Sequence, residues 1–123
     1  MGYYTYYSMQ AHHIKTRAEY EAIIQALKDN ELYTSNNNGG IFDESDYDDA
    51  GEAYFNAYDE CKWYDHTYDM VKISKMFPEV TFCLSGDGEE RDDMWREYFH
   101  NGEVEECRAQ IIFPSPTRIE WEE

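Results

Sequence analysis

The stretch "DHTYDMVKISKMFPEVTFCLSG", which spans residues 65–86, decides the fold because it joins a helical repeat to a strand repeat. In its first half, Met70, Ile73 and Phe77 recur at the spacing of one helix face. Pro78 follows directly and predicts the end of that helix, since proline lacks the N–H that a helix interior needs. We therefore expect a helix that turns these three apolar side chains inward and stops before Pro78.

The second half of the stretch, and the chain after it, have the pattern of antiparallel strands. Residues 80–84 alternate between large apolar and smaller side chains, which is typical of a strand buried on one face. Further along, the pair Asn101-Gly102 divides residues 93–113, and this pair favours a tight primed turn. The sequence therefore predicts a strand followed by a β-hairpin.

The chain before residue 65 supplies the other expected elements. Residues 3–12 are rich in strand-forming side chains, and residues 16–30 are apolar at helical spacing, with Thr16 and Glu19 in a capping-box pattern. Residues 54–63 fit either a helix or a strand, and their aromatic content favours a strand. The order of elements predicts an α+β fold, in which an antiparallel sheet of four to five strands carries two helices on one face in a ferredoxin-like manner.

The totals predict one soluble domain in a reducing compartment. At 123 residues the chain fits a single domain over residues 1–123, and an aromatic content of 17% argues against disorder. The three cysteines are odd in number and have no CxxC spacing, so we expect a cytoplasmic setting. The first residues lack the pattern of a secretory signal, and no apolar run approaches the length of a membrane span.

The most informative total is the net charge of −17. It is unevenly distributed, because residues 1–42 carry four acids and three bases, whereas the remainder carries 23 acids and seven bases. Such a chain repels nucleic acids and anionic membranes and attracts basic protein surfaces. We therefore expect a basic protein as the partner, with no direct binding of nucleic acid or membrane.

The acids concentrate in short clusters. We expect residues 43–52 to form an exposed acidic segment, and residues 86–93 ("GDGEERDD") to form a charged loop between strands in which the glycines supply turn conformations. Glu103, Glu105 and Glu106 follow the predicted hairpin turn. The candidate partner-binding residues are the carboxylates of the first two clusters: Asp43, Glu44, Asp46, Asp48, Asp49, Asp87, Glu89, Glu90, Asp92 and Asp93.

A calcium loop is the first chemical interpretation to test. An EF-hand loop that began at Asp46 would have Gly51 at its sixth position, as required. However, Ala50 and Ala57 would occupy the fifth and twelfth positions, where oxygen ligands are needed. The sequence therefore excludes an EF-hand and leaves an irregular divalent site open.

Other site chemistry finds no support in the sequence. His12 and His13 are adjacent, so on a strand they leave opposite faces and cannot chelate zinc together. In residues 86–93 the third glycine of a phosphate-binding loop is replaced by Arg91, and the surrounding acids would repel a phosphate. No nucleophile motif occurs. We therefore expect a non-enzymatic protein that has no catalytic residues, no metal and no cofactor.

The C-terminal half resembles known small proteins. The segments "KWYDHTYDM", "SKMFPEVTF", "LSGDGEERDDMWREYFHNG" and "AQIIF", within residues 62–113, are similar to a pattern found in small proteins of phages and mobile elements and to a ferredoxin-like domain of plasmid-borne proteins. In charge and size the chain also resembles anti-restriction and anti-CRISPR inhibitors. This resemblance implies a ferredoxin-like fold and a role in countering a host defence nuclease.

The charge of the acidic clusters can be explained in two ways. The charge can be a solvated face that keeps the protein monomeric. The sharper hypothesis is mimicry of DNA, in which carboxylates pooled from several elements occupy the basic nucleic-acid-binding cleft of a CRISPR effector or another nuclease. The alternatives are an immunity-type or accessory protein that neutralises a basic toxin or nuclease, and a small enzyme or cation-binding domain that uses the acidic pocket.

Overall fold

The computed structural model describes residues 3–33, 40–57 and 59–120, and its fold is α+β. In chain order the elements are β1 (Thr5–His12), α1 (Arg17–Asp29), β2 (Phe42–Tyr47), β3 (Glu52–Ala57), α2 (His66–Met76), β4 (Thr81–Gly88), β5 (Met94–His100) and β6 (Glu103–Arg108). The strands form one open sheet in the order β2-β3-β1-β4-β5-β6. Every neighbouring pair is antiparallel.

One face of this sheet carries the hydrophobic core. The strands alternate buried and more exposed side chains, as β5 does with Trp95, Glu97 and Phe99 buried. The buried residues of both helices join the strands in a single cluster, whose members include Tyr7, Met9, Ile23, Leu27, Phe55, Met70, Ile73, Phe82, Leu84, Trp95 and Phe99. We call this side the core face. The opposite side, which no helix covers among the described residues, is the open face.

The two helices begin and end largely as their sequences predict. The Thr16 hydroxyl accepts a hydrogen bond from the Glu19 N–H at 3.1 Å, while the Glu19 carboxylate accepts from the Lys15 N–H at 2.9 Å, one residue before the position that a standard capping box uses. Helix α2 ends at Met76, two residues before Pro78. Its predicted inward side chains at residues 70 and 73 are fully buried, whereas Phe77 packs at the edge of the core.

The strand count differs from the expectation. The sheet has six strands rather than four to five, because the expected acidic segment at residues 43–52 is itself largely sheet. Strand β2 and the turn at residues 48–51 form a hairpin with β3. The strand expected over residues 54–63 is confirmed only as far as Ala57, and Tyr58 lies outside the described residues.

The second hairpin is confirmed at its turn. Asn101 and Gly102 have φ angles of 48° and 87°, which is the pair of positive values that a type I′ turn needs. The expectation that Gly86 and Gly88 supply turn conformations is wrong, because both lie within β4. Glycine is needed at both positions because a side chain would not fit. A Cβ on Gly86 would overlap the Trp95 indole, and one on Gly88 would overlap the Asp93 carboxylate.

Candidate functional site

The first acidic cluster occupies the β2 edge of the sheet and the adjoining turn. Glu44 pairs with Asn56 and Asp46 pairs with Tyr54, so both carboxylates border the open face. Both are exposed, as are the turn residues Asp48 and Asp49, whereas Asp43 at the β-bulge is half-buried. The Asp48 carboxylate accepts from the Ala50 N–H at 2.8 Å and from the Glu52 N–H at 3.2 Å, which fixes the turn. The following members form this cluster: Asp43, Glu44, Asp46, Asp48 and Asp49.

The second acidic cluster lies at the end of β4, which carries Asp87, and in the β4–β5 connection, at the opposite end of the sheet from the turn at residues 48–51. Along the β1–β4 ladder, His12 pairs with Thr81 at one end and Thr5 pairs with Gly88 at the other. Seven residue steps of about 3.3 Å separate these ends, a distance of roughly 23 Å. The turn and the loop therefore do not form one continuous patch, and a partner would have to span the sheet to touch both.

Two carboxylates of the second cluster are committed to the fold. The Asp93 carboxylate accepts from the Tyr3 hydroxyl at 2.6 Å and from Arg108 Nη2 at 2.5 Å. The hydrogen bond from Tyr3, followed by the bond and charge of Arg108, holds the pKa of Asp93 below its usual value. Glu89 accepts from the Tyr4 N–H at 2.6 Å. The second cluster therefore presents Asp87, Glu90 and Asp92 as its uncommitted, exposed acids.

We expect the Asp93→Ala variant to lose about 1–3 kcal/mol of unfolding free energy, because it removes a charged acceptor from two donors at once. Since the pKa of Asp93 is lowered on folding, this stabilisation is present above about pH 4 and is lost as the pH falls through the lower folded pKa. Urea unfolding at neutral pH and at about pH 3 measures both effects. Asp92→Ala is the control, and equal stability of the two variants at neutral pH would contradict the assignment.

Few cations neutralise the two clusters. Within the described part of the chain, ion pairs from lysine or arginine reach only Asp49, from Arg17 at 3.7 Å, and Asp93, from Arg108. The other such pairs involve acids outside the clusters: Lys15 with Glu79, and Arg108 with Glu106 at 3.4 Å. Among the described residues, most of the candidate carboxylates therefore have no lysine or arginine in an ion pair with them.

A third group of acids lies on the far edge of the sheet. Glu103, Glu105 and Glu106 belong to the edge strand β6, all of whose side chains are exposed. Glu105 pairs with Tyr98 and so borders the open face, opposite the carboxylates of β2. Acids thus border the open face along both edge strands.

The centre of the open face is a groove with a single arginine across its floor. Two concavities of about 470 and 390 Å³ adjoin there and share Ser8, Ser85 and Arg96. The register explains the groove, because Ser8 pairs with Ser85 and Ser85 pairs with Arg96, which places two small side chains between taller ones. We call this feature the open-face groove. The Tyr98 hydroxyl raises the pKa of Arg96, and no carboxylate of the described residues forms an ion pair with it.

A buried carboxylate on the core face went unnoticed in the sequence. Glu97 is only 5% exposed, and it accepts from His66 Nδ1 at 2.7 Å and from the Thr67 hydroxyl at 2.6 Å. Burial alone would raise the pKa of Glu97, but these hydrogen bonds outweigh it and lower the pKa. The His66 ring also stacks on Trp95, with centroids 4.6 Å apart. The alternation of β5 could have revealed Glu97, because it falls between the two inward aromatic residues of that strand.

A histidine that is hydrogen-bonded to a carboxylate, as His66 is to Glu97, has the components of an acid–base pair. Here, however, the groups around the pair are buried side chains that pack the core. The Thr67 hydroxyl, which contacts both members of the pair, donates to Glu97. Among the described residues, no group of three or more His, Cys, Asp or Glu side chains is arranged to hold a metal ion. No helix within the described ranges is long and apolar enough to cross a membrane.

Comparison with known proteins gives no relative: no family model, no curated protein and no solved structure matches the chain.

Proposed function

We propose that the protein is a non-enzymatic inhibitor from a phage or mobile element, of the anti-CRISPR kind, which occupies the basic nucleic-acid-binding cleft of a host defence nuclease. Its carboxylates take the place of DNA phosphates in that cleft. The partner is therefore a CRISPR effector or another nuclease with a basic channel, and the inhibitor itself does not bind nucleic acid.

The observation that carries the proposal is the shortage of cations around the exposed acids. The chain has a net charge of −17, and in the part that the structure describes only two of the ten candidate carboxylates pair with lysine or arginine. Holding like charges together destabilises the compact state through self-repulsion. Such an arrangement is favourable when a cationic surface neutralises it, as the basic channel of a nuclease would.

The geometry of the sheet supports mimicry through several elements. Duplex DNA carries one negative charge for about every 1.7 Å of its axis. A single strand offers same-face carboxylates only about every 6.6 Å, so one strand cannot match that density. Acids on the β2 edge, in the β4–β5 loop and on the β6 edge together surround the open face. A duplex-sized channel could engage one edge and one end of the sheet at the same time.

The fold relationship is part of the same proposal. The succession β1-α1-β2-β3-α2-β4, with the sheet order β2-β3-β1-β4, resembles the ferredoxin-like arrangement. We infer that β5 and β6 are an added hairpin on the β4 edge of such a domain. This addition creates the β4–β5 loop, and with it four of the five carboxylates of the second acidic cluster.

The proposal predicts that neutralising the clusters weakens inhibition. The first variant replaces the five carboxylates of the first acidic cluster with amides. The second variant does the same only for the three uncommitted, exposed acids of the second acidic cluster. The control removes three exposed acids of the helix layer. The substitutions are Asp43→Asn, Glu44→Gln, Asp46→Asn, Asp48→Asn and Asp49→Asn in the first, Asp87→Asn, Glu90→Gln and Asp92→Asn in the second, and Glu21→Gln, Asp29→Asn and Glu31→Gln in the control.

We expect at least one cluster variant to bind the nuclease about tenfold more weakly or worse, a loss of about 1.4 kcal/mol, while the control stays within about twofold of the parent. Affinity of the parent should fall steeply with salt, because exposed charges are screened within about 8 Å at physiological ionic strength. Stability should be unchanged or higher in the cluster variants, since like charges are relieved. Fluorescence anisotropy of the labelled protein, titrated with a guide-loaded effector over a series of salt concentrations, measures the affinities and their salt dependence. The stability of the variants requires a separate unfolding experiment.

Competition with DNA separates the mimic from the alternatives. A duplex that carries the nuclease's target should displace the protein if both occupy the same cleft. An immunity-type protein that binds elsewhere on a basic nuclease would survive this competition. Equal inhibition by the parent and by both cluster variants would make the acids a solvated face and would refute the mimic proposal.

A further inference from the structure

The segment after β6 exposes apolar side chains that have no place in the core. Ile111, Ile112 and Phe113 are 54%, 74% and 88% exposed. Within the described chain, the last backbone hydrogen bond of this region is from the Ala109 N–H to the Met94 carbonyl, at 2.8 Å. Three consecutive large apolar residues in water are unfavourable, because their burial is the main favourable term in folding and association. This segment therefore lacks a partner surface among the residues of the single chain that the structure describes.

The same segment is uncharged in an otherwise strongly charged protein. Charged residues make up 30% of the sequence, yet residues 109–117 contain none. Two copies of this chain repel each other through a net charge of −17 each. An uncharged segment of one copy can therefore approach another copy at a low electrostatic cost.

The open-face groove has the complementary properties. Its lining includes Tyr6 of β1 and Met94 of β5, which are 39% and 45% exposed. Most of its lining is uncharged, and the charged lining residues are Asp87, Arg96 and Arg108, so one carboxylate lines the groove beside two arginines. Ala109 lies at the rim, which means that the apolar segment leaves the sheet where the groove begins.

The backbone favours a second copy over the same copy as the host. Residues 110–116 contain no glycine and include Pro114 and Pro116. Proline and the residue before it favour extended backbone, so a sharp return onto the chain's own open face is disfavoured. An extended segment of this kind can instead lie across the open face of a neighbour.

We propose that residues 110–113 of one copy occupy the open-face groove of a second copy, with the reciprocal contact completing a twofold dimer. The apolar side chains pack between Tyr6 and Met94 of the host copy and cover the uncharged floor at Ser85. Because the association is apolar and opposed by charge repulsion, the dimer strengthens as salt rises. This salt dependence is opposite in sign to that of nuclease binding, so either proposal can fail without the other.

Sedimentation equilibrium over a concentration series, in about 0.05 M and about 0.5 M salt, tests the proposal. The segment variant Ile111→Ser/Ile112→Ser/Phe113→Ser changes only exposed residues, so it should fold as the parent does. The groove variant Ser85→Tyr fills the floor. The control Tyr68→Ser/Met76→Ser removes exposed apolar residues of α2, away from the groove. Circular dichroism and thermal unfolding confirm the fold of each variant.

We expect the parent to dimerise more tightly at the higher salt concentration, and the segment and groove variants each to raise the dimer dissociation constant by about tenfold or more. The control should remain within about twofold. A fluorescent peptide of residues 109–120 should bind the segment variant, whose groove is vacant, and should bind the Ser85→Tyr form of that variant at least tenfold more weakly.

Three outcomes would overturn the proposal. The first is a parent that stays monomeric at the higher salt concentration up to the highest concentration reached. The second is a dimer that the segment variant or the groove variant leaves intact. The third is equal peptide binding with and without Ser85→Tyr, which would place the peptide outside the groove.

Discussion

The Glu97→Ala variant is expected to unfold with a free energy about 2–4 kcal/mol lower than that of the parent. The substitution removes the acceptor of two short hydrogen bonds, from His66 and Thr67, at a position that is 5% exposed. Hydrogen bonds to charged groups are worth about 1.5–3 kcal/mol each, and the donors left behind lose part of their hydration. Urea unfolding at neutral pH, followed by tryptophan fluorescence because His66 stacks on Trp95, measures the loss.

The sign of the pH dependence follows from the lowered pKa of Glu97. The unfolded chain binds the proton at a higher pH than the folded chain does, so the stabilisation is complete above about pH 4.3 and is lost as the pH falls through the folded pKa. Glu97→Gln keeps the shape but removes the titration. Its unfolding free energy should therefore vary less between about pH 5 and pH 2 than that of the parent. Parallel curves for the two proteins would show that Glu97 does not titrate differently on folding.

The Gly86→Val variant is expected to lose about 3 kcal/mol, at the upper end of what overpacking costs. A Cβ at this position would overlap the ring of Trp95, which is buried and held by its stacking on His66. Glycine is needed here for space rather than for an unusual φ angle. Ser85→Val, one residue earlier on the open face, is the control and should cost less than about 1 kcal/mol.

A rescue experiment identifies the clash. Trp95→Leu leaves room beside Gly86, so the double variant Gly86→Val/Trp95→Leu should be less destabilised than the sum of the two single variants. Chemical denaturation of the four proteins gives this coupling energy. Strict additivity would mean that the cost at Gly86 arises elsewhere than at Trp95.

The sequence correctly predicted the turn and the helix start that depend on residues close together in the chain. The Asn101-Gly102 turn depends on two residues that accept positive φ angles, and α1 depends on Thr16 accepting from the Glu19 N–H. Strand β2 escaped prediction because its only fully buried residue is Phe42, and its other side chains alternate between half-buried and exposed. Pairing with β3 makes it a strand, and that pairing is a tertiary property.

The sequence shows which residues make up the candidate site, but it does not show where those residues lie relative to one another. The sequence identifies dense carboxylates, but only the strand register separates the turn at residues 48–51 from the loop at residues 89–93. It likewise gives no sign that Asp93 is bound by Tyr3 and Arg108, which lie 90 and 15 residues away in the chain. The open-face groove depends on Ser8 meeting Ser85 across two strands, which is also invisible before the order of strands is known.

The central position of β1 in the sheet has a consequence for how the protein forms during synthesis. This strand precedes both of its neighbours in the chain, which are residues 52–56 and residues 81–88. A nascent chain on the ribosome therefore cannot pair both edges of β1 until Gly88 has emerged. Contacts between segments so far apart in sequence close slowly, because the intervening loop must first lose entropy. Until then the apolar side of β1, with Tyr7 and Met9, remains available to chaperones and to other nascent chains.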